Sequence, residues 1–118
     1  MELYADYLKE TENIECKYND ECFILYKPYT DKSVFIIDAY SRPEIRGQQK
    51  MLTFFKEWVD EIKNLGYNVI FSNSTTLKKG WERSHELQQK FGFVCMGFDE
   101  KDNTVMNYYY DIKGNSNG

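Results

Sequence analysis

Forty residues near the middle of the chain constrain its fold more than any other part. "SVFIIDAY" (33 to 40) is a nearly continuous apolar run, the mark of a strand covered on both faces. After Pro43 the pattern changes period. Met51, Leu52, Phe55, Trp58, Val59, Ile62 and Leu65 fall on one face of a helix, with Lys56, Glu57, Asp60, Lys63 and Asn64 on the other. Gly66 supplies a helix stop, and "YNVIFS" (67 to 72) is a second apolar strand. Strand, helix and strand in this order require two parallel strands joined by a right-handed crossover, with the first as the central strand.

The flanking segments add strands and helices to that unit. Residues 2 to 12 are rich in helix formers and place Leu3, Tyr7 and Leu8 at helical spacing. "IECKY" (14 to 18), the pair Asn19-Asp20 and "ECFILYK" (21 to 27) read as a hairpin. A two-residue turn there would set Lys17 opposite Cys22 and send Cys16 to the other side of the sheet, disfavouring a Cys16 to Cys22 bridge. A second helix over about residues 80 to 91 would present Trp81, Ser84, Leu87 and Phe91 inward. "FVCMGF" (93 to 98) and "TVMNYYYDI" (104 to 112) then close an antiparallel hairpin. The expectation is an α/β (α+β) fold with a mixed central sheet, one domain over residues 1–112, and a disordered tail over 113–118.

With 118 residues, 42% hydrophobic and 17% aromatic, the chain can bury one core. No apolar run reaches the ~18 residues that a membrane span needs, and the first residues lack the pattern of a signal peptide, so a soluble cytoplasmic protein is expected. The net charge of −4 argues against nucleic acid as a partner. Cys16, Cys22 and Cys95 are odd in number and form no CxxC pair, which points to reduced, packed thiols and to no metal site.

The turn between the central strand and its helix concentrates positive charge. Arg42, Arg46 and Lys50 recur every four residues, opposed locally only by Glu44. Arg46-Gly47 stands where unpaired helix N-terminal amides and the positive end of the helix dipole stabilise an anion. From the residues alone the turn is an anion site or a solvated run of charge.

"YSRPEIRG", the amphipathic helix, "LGYNVIF" and the later "QQKFGF" together resemble the GNAT superfamily of coenzyme A dependent N-acyltransferases, and small phage-encoded GNAT-like proteins among them. The likeness covers roughly residues 6 to 112. It implies a splayed parallel pair at the centre of the sheet, with acetyl-CoA in the opening and an amine as acceptor. The pantetheine arm would meet the backbone of Ala39, Tyr40 and Ser41. The pyrophosphate would meet the amides of Gly47, Gln48, Gln49, Lys50, Met51 and Leu52, with Arg46 at the family's Q/R position.

The chain departs from the family pattern at the residues that do chemistry. Gln49 and Met51 replace the glycines of the Q/R-x-x-G-x-G/A loop, where a missing Cβ lets phosphate oxygens approach. Gln88 stands where a tyrosine commonly protonates the departing thiolate, and Trp81 falls near the place of a frequent asparagine. Three side chains are candidates for proton transfer or for contact with the thioester. Asp38 is a candidate base, or else a strand-end aspartate satisfied by hydrogen bonds. Ser84 is a candidate donor toward sulfur, or else a small packing residue. His85, the only histidine, is a candidate acid or base, or else a surface side chain.

Two functions follow from these readings. One is an enzyme that transfers an acetyl group from acetyl-CoA to a primary amine. The other is a catalytically silent binding protein of the same fold that acts on a host or virion protein partner. In "NYYYD", alternation sends Tyr108 and Tyr110 to one face and Tyr109 to the other, so the strand packs the core or offers an aromatic edge to a second copy as a homodimer.

Overall fold

The computed structural model describes residues 2–47 and 49–115. In chain order the elements are α1 (Glu2–Glu12), β1 (Glu15–Tyr18), β2 (Cys22–Thr30), β3 (Ser33–Ser41), a 3-10 turn at Pro43–Ile45, α2 (Lys50–Asn64), β4 (Val69–Thr75), α3 (Trp81–Phe91), β5 (Val94–Phe98), β6 (Val105–Asp111) and α4 (Ile112–Asn115). The strands form one sheet in the order β1-β2-β3-β4-β6-β5. β3 and β4 are its parallel pair, and α2 joins them, as the strand-helix-strand pattern requires. At the end of α2, Gly66 takes φ +100° and its N–H reaches the Lys63 carbonyl at 3.0 Å, the positive-φ stop expected of it.

The core lies between α2 and the sheet. Trp58 and Ile62 are fully enclosed, and the Phe55 ring packs against Phe91, Phe93 and Tyr110 at centroid distances of 5.3–5.6 Å. Alternation along β6 holds: Tyr108 and Tyr110 are buried in this cluster, while Tyr109 is half-exposed on the other face. α1 contributes less than its spacing suggested. Leu8 is buried, but Leu3 is 84% exposed.

Several expectations need correction. The first hairpin does not close with a two-residue turn, because the Asn19 side chain accepts the amides of Glu21 and Cys22, both at 2.8 Å, and holds a longer loop. Lys17 therefore faces Ile24 rather than Cys22, although Cys16 and Cys22 still lie on opposite faces as free thiols. β6 is not an edge, since it pairs with both β4 and β5, so its tyrosines offer no free strand for a second copy to pair with. The C-terminal helical turn extends into the segment expected to be a tail: Ile112 is buried and its N–H bonds to the Asn68 carbonyl at 3.0 Å, which anchors residues 112 to 115. Residues 116–118 lie outside the described residues. No helix among the described residues is long and apolar enough to cross a membrane.

β3 is central, but it is not covered on both faces along its length. Its first two residues are buried, whereas Ile37 and Tyr40 are 40% and 44% exposed. The cause lies in the ladders on either side. Against β2 the register slips so that Asp38 pairs with Leu25 and Ile36 with Tyr26, leaving Ile37 as an extra residue in a bulge. A bulge bends its strand and raises the local twist. Against β4 the pairing lasts for three residues of each strand, Ser33, Val34 and Phe35 against Val69, Ile70 and Phe71, and goes no further.

Candidate functional site

Beyond Phe35 and Phe71 the two parallel strands part. β3 runs on to Ser41 paired only with β2, and β4 runs on to Thr75 paired only with β6. The strand edges facing each other across this gap have no ladder partner there, so backbone groups of these edges that are not bonded to nearby side chains are available to another molecule. The candidate binding backbone of Ala39, Tyr40 and Ser41 forms one lip of the gap.

The turn from Arg42 to Lys50 closes one end. Gly47 takes φ +86°, and a Cβ built on it would meet nothing within 4 Å, so open space adjoins the loop. Gln49 is the residue before α2 and takes φ 62° and ψ 3°, a left-handed conformation. This gives a physical reason for glycine at that place in related loops. The first intrahelical bond runs from the Thr53 N–H to the Gln49 carbonyl at 3.0 Å, and the amides of Lys50, Met51 and Leu52 belong to the turn that helix geometry leaves without acceptors. Met51 and Leu52 turn their side chains onto the core. Met51 therefore does not fill the space that an alanine or glycine would leave, and these residues fit a pyrophosphate. Gln48 lies outside the described residues.

Gln49→Gly relieves the left-handed strain of about 1–2 kcal/mol at the cost of about 0.5–1 kcal/mol of added chain entropy. The expected result is a gain of about 0.5–1 kcal/mol in unfolding free energy, read as a higher denaturant midpoint at unchanged m-value.

The positive charge of this turn is engaged within the chain. Arg42 donates from Nε to the Asp20 carbonyl at 2.6 Å. Arg46 donates from Nε and Nη2 to the Ser41 carbonyl at 3.2 and 3.0 Å, and lies over the Tyr40 ring at 5.5 Å. Lys50 pairs with Glu21 at 3.3 Å, so the local opposition to these cations includes the first hairpin as well as Glu44. Sequence spacing missed Glu21 because only the fold brings residue 21 to residue 50.

α3 supplies the other wall, and its inward face differs from expectation. Trp81, His85 and Gln88 are its half-buried residues ahead of Phe91, whereas Leu87 is 41% exposed. The face is polar because β4 presents hydroxyls to it. Gln88 accepts from Ser72 Oγ and donates to Ser74 Oγ at 2.9 Å and to Ser84 Oγ at 3.4 Å, while Ser84 and Ser74 lie 3.2 Å apart. His85 Nδ1 is 2.7 Å from the Tyr108 hydroxyl. Ser84 and His85 are thus brought to one cluster with Tyr108, which was singled out in the sequence only as an aromatic of the sheet. Burial pushes the Tyr108 hydroxyl above its usual pKa, against an opposing hydrogen bond from Ser74.

Asp38 does not join that cluster. Strand alternation sets it with Leu25 on the face away from α2, where it is exposed and accepts the Ala39 N–H at 2.9 Å. One backbone amide of the lip is thereby already bonded. The candidate groups stand on two faces of the gap, Asp38 on the open face and His85, Ser84 and Tyr108 on the helix face.

No protein-family model matches the sequence, and no curated protein matches it. Solved structures do. A Desulfovibrio desulfuricans protein assigned to the GNAT acetyltransferases superimposes on 81% of the chain with TM-score 0.68 at 12% identity, and the chain spans 65% of that protein's length. A GNAT family acetyltransferase from Elizabethkingia anophelis with acetyl-CoA bound matches 93% of this chain and 82% of its own with TM-score 0.67 at 18% identity. A Bacillus subtilis acetyltransferase in complex with CoA matches 90% and 82% with TM-score 0.64 at 16% identity. The six-stranded mixed sheet, its parallel pair and this likeness agree: the chain adopts the fold of the GNAT superfamily.

Proposed function

We propose that the protein is an acyl-CoA dependent N-acyltransferase of the cytoplasm that transfers an acetyl group from acetyl-CoA to a primary amine. The observation that carries this reading is the parting of β3 from β4 after Phe35 and Phe71, beside a helix N-terminus whose loop has open space at Gly47. A closed sheet would have no use for such a gap. The cofactor would lie along Ala39, Tyr40 and Ser41 and on the amides of the loop from Gly47 to Leu52, with Arg46 beside it. When bound it supplies an activated acetyl thioester, so that an N–C bond forms, the C–S bond breaks and one proton passes from nitrogen to sulfur.

The chain's own residues orient the reactants and move that proton. Asp38, on the open face, takes the proton from the incoming amine, directly or through water. The helix face returns a proton through the Tyr108 hydroxyl, which His85 holds at Nδ1; burial keeps that hydroxyl protonated, as a donor must be. Ser84 and Ser74 hydrogen-bond on the sulfur side. Gln88, in place of a tyrosine, fastens α3 to β4 and keeps these hydroxyls in register.

Asp38→Asn tests the base. Asparagine keeps an oxygen for the Ala39 N–H but accepts no proton, so kcat on an amine substrate should fall about 100-fold with CoA affinity unchanged. An unchanged kcat in steady-state assays would remove Asp38 from the reaction.

A second reading rests on one specific observation: Arg42, Arg46 and Lys50 all have partners inside the chain. A GNAT-fold protein that binds no cofactor and acts by contact with a host or virion protein would keep its turn in that state. The two readings part on cofactor binding.

A further inference from the structure

The face of the sheet away from α2 holds a cleft of about 540 Å³ that begins where β3 and β4 part. Phe35 and Phe71, the last paired residues of the two strands, lie in its floor, and the Tyr29 ring packs on both at 6.2 and 5.5 Å. From there it extends past Asn73 and Asn107 to Asp99 and Asp102 in the turn between β5 and β6. No lysine or arginine is among the described residues that line it.

Both carboxylates are fixed by their own hydrogen bonds. Asp99 accepts from Asn107 Nδ2 and from the Lys101 N–H, each at 3.0 Å, and Asp102 accepts from the Thr104 N–H and hydroxyl at 2.9 and 2.6 Å. These bonds lower both carboxyl pKa values, so each is ionised at neutral pH. An ammonium group is stabilised beside a carboxylate and over an aromatic face, and a short alkyl chain is stabilised on the rings. A second copy of this chain would instead bring like carboxylates together and bury them, which is unfavourable.

We propose that this cleft is the acceptor pocket and that the acceptor is a small diamine or polyamine, one amino group directed to the gap between β3 and β4 and a second ammonium held by Asp99 and Asp102. The assignment rests on the acyltransferase reading, which makes the open face the acceptor side. It names a class of acceptor that the gap alone does not.

Calorimetric titration at low salt separates the alternatives, using 1,5-diaminopentane, spermidine, n-pentylamine and 6-aminohexanoate, with and without saturating CoA. The diamine and spermidine should bind about tenfold more tightly than n-pentylamine, and 6-aminohexanoate should not bind. Asp99→Asn with Asp102→Asn should bring the diamine to the level of the monoamine at unchanged CoA affinity: the amide oxygen at position 102 can accept both Thr104 bonds, and the one at position 99 can accept the Lys101 N–H while the Asn107 amide turns its oxygen to the new NH2 group. Phe71→Leu should weaken all three amines. Equal affinity for diamine and monoamine in a protein that binds CoA would overturn the acceptor class and leave the acyltransferase reading standing. Diamine binding in a protein that binds no CoA would overturn the acceptor role together with that reading.

Discussion

Replacing Tyr108 with phenylalanine is expected to lower kcat by about 100-fold and to leave the KM for acetyl-CoA unchanged, the signature of a group that acts on the proton and not on the cofactor. The ring stays, so the packing of a fully enclosed side chain is kept, and what is lost is the hydroxyl with its 2.7 Å bond to His85 and its hydrogen bond from Ser74, which keeps Gln88 as a partner. Loss of such a bond costs about 1 kcal/mol of stability, and half-exposed His85 has water as a replacement partner. The protein should therefore remain folded, and thermal unfolding beside the assay checks this. His85→Gln adds a second readout, because glutamine can still bond to the hydroxyl: kcat should fall less than in Tyr108→Phe, with the KM for acetyl-CoA again unchanged. A Tyr108→Phe enzyme with normal kcat would make the pair a packing feature only.

Most of the architecture was legible in the amino-acid sequence because it depends on period. The switch from the run at residues 33 to 40 to the helical face of Met51 to Leu65 set out the parallel unit, and alternation in "NYYYD" buried the correct two tyrosines. The failures came where a side chain or a distant segment overrode the local pattern. Asn19 captured two amides and lengthened the first turn; the bulge at Ile37 exposed a strand whose composition reads as buried; Ser72 and Ser74 turned the polar face of α3 inward while Leu87 faced out.

The site was half legible for the same reason. A contiguous turn such as Arg42 to Leu52 can be found by spacing and by resemblance, and it lies where expected, at the end of the central strand. The open-face cleft draws Tyr29, Phe35, Phe71, Asp99 and Asp102 from four separate segments, and no linear pattern joins them. The bond between His85 and Tyr108 spans 23 positions and depends on β6 lying between β4 and β5, a strand order that the hairpin signal alone does not give.

Gln49 supplies the left-handed residue that a glycine would supply more cheaply, and Met51 sends its side chain to the core instead of into the anion's path. The engaged cations would raise the cost of binding the proposed cofactor, since its phosphates would have to compete with Glu21 for Lys50 and share Arg46 with the Ser41 carbonyl.

The second large effect concerns the lip of the gap. Ala39 lies with Ile24 on the helix-side face of β3, beyond the last residue paired with β4, and its small side chain is exposed. Ala39→Trp would set an indole where the proposed pantetheine arm would pass, and at an exposed position it should leave stability within about 0.5 kcal/mol, as surface substitutions generally do. Calorimetric titration of CoA and acetyl-CoA into the wild-type protein, Arg46→Ala and Ala39→Trp therefore decides whether the gap between β3 and β4 binds the cofactor. Micromolar binding to the wild type is expected, weakened about tenfold by Arg46→Ala and by at least about 100-fold, ~2.7 kcal/mol, in Ala39→Trp. Absence of binding to the wild type at millimolar cofactor, or binding that Ala39→Trp leaves unchanged, would contradict it.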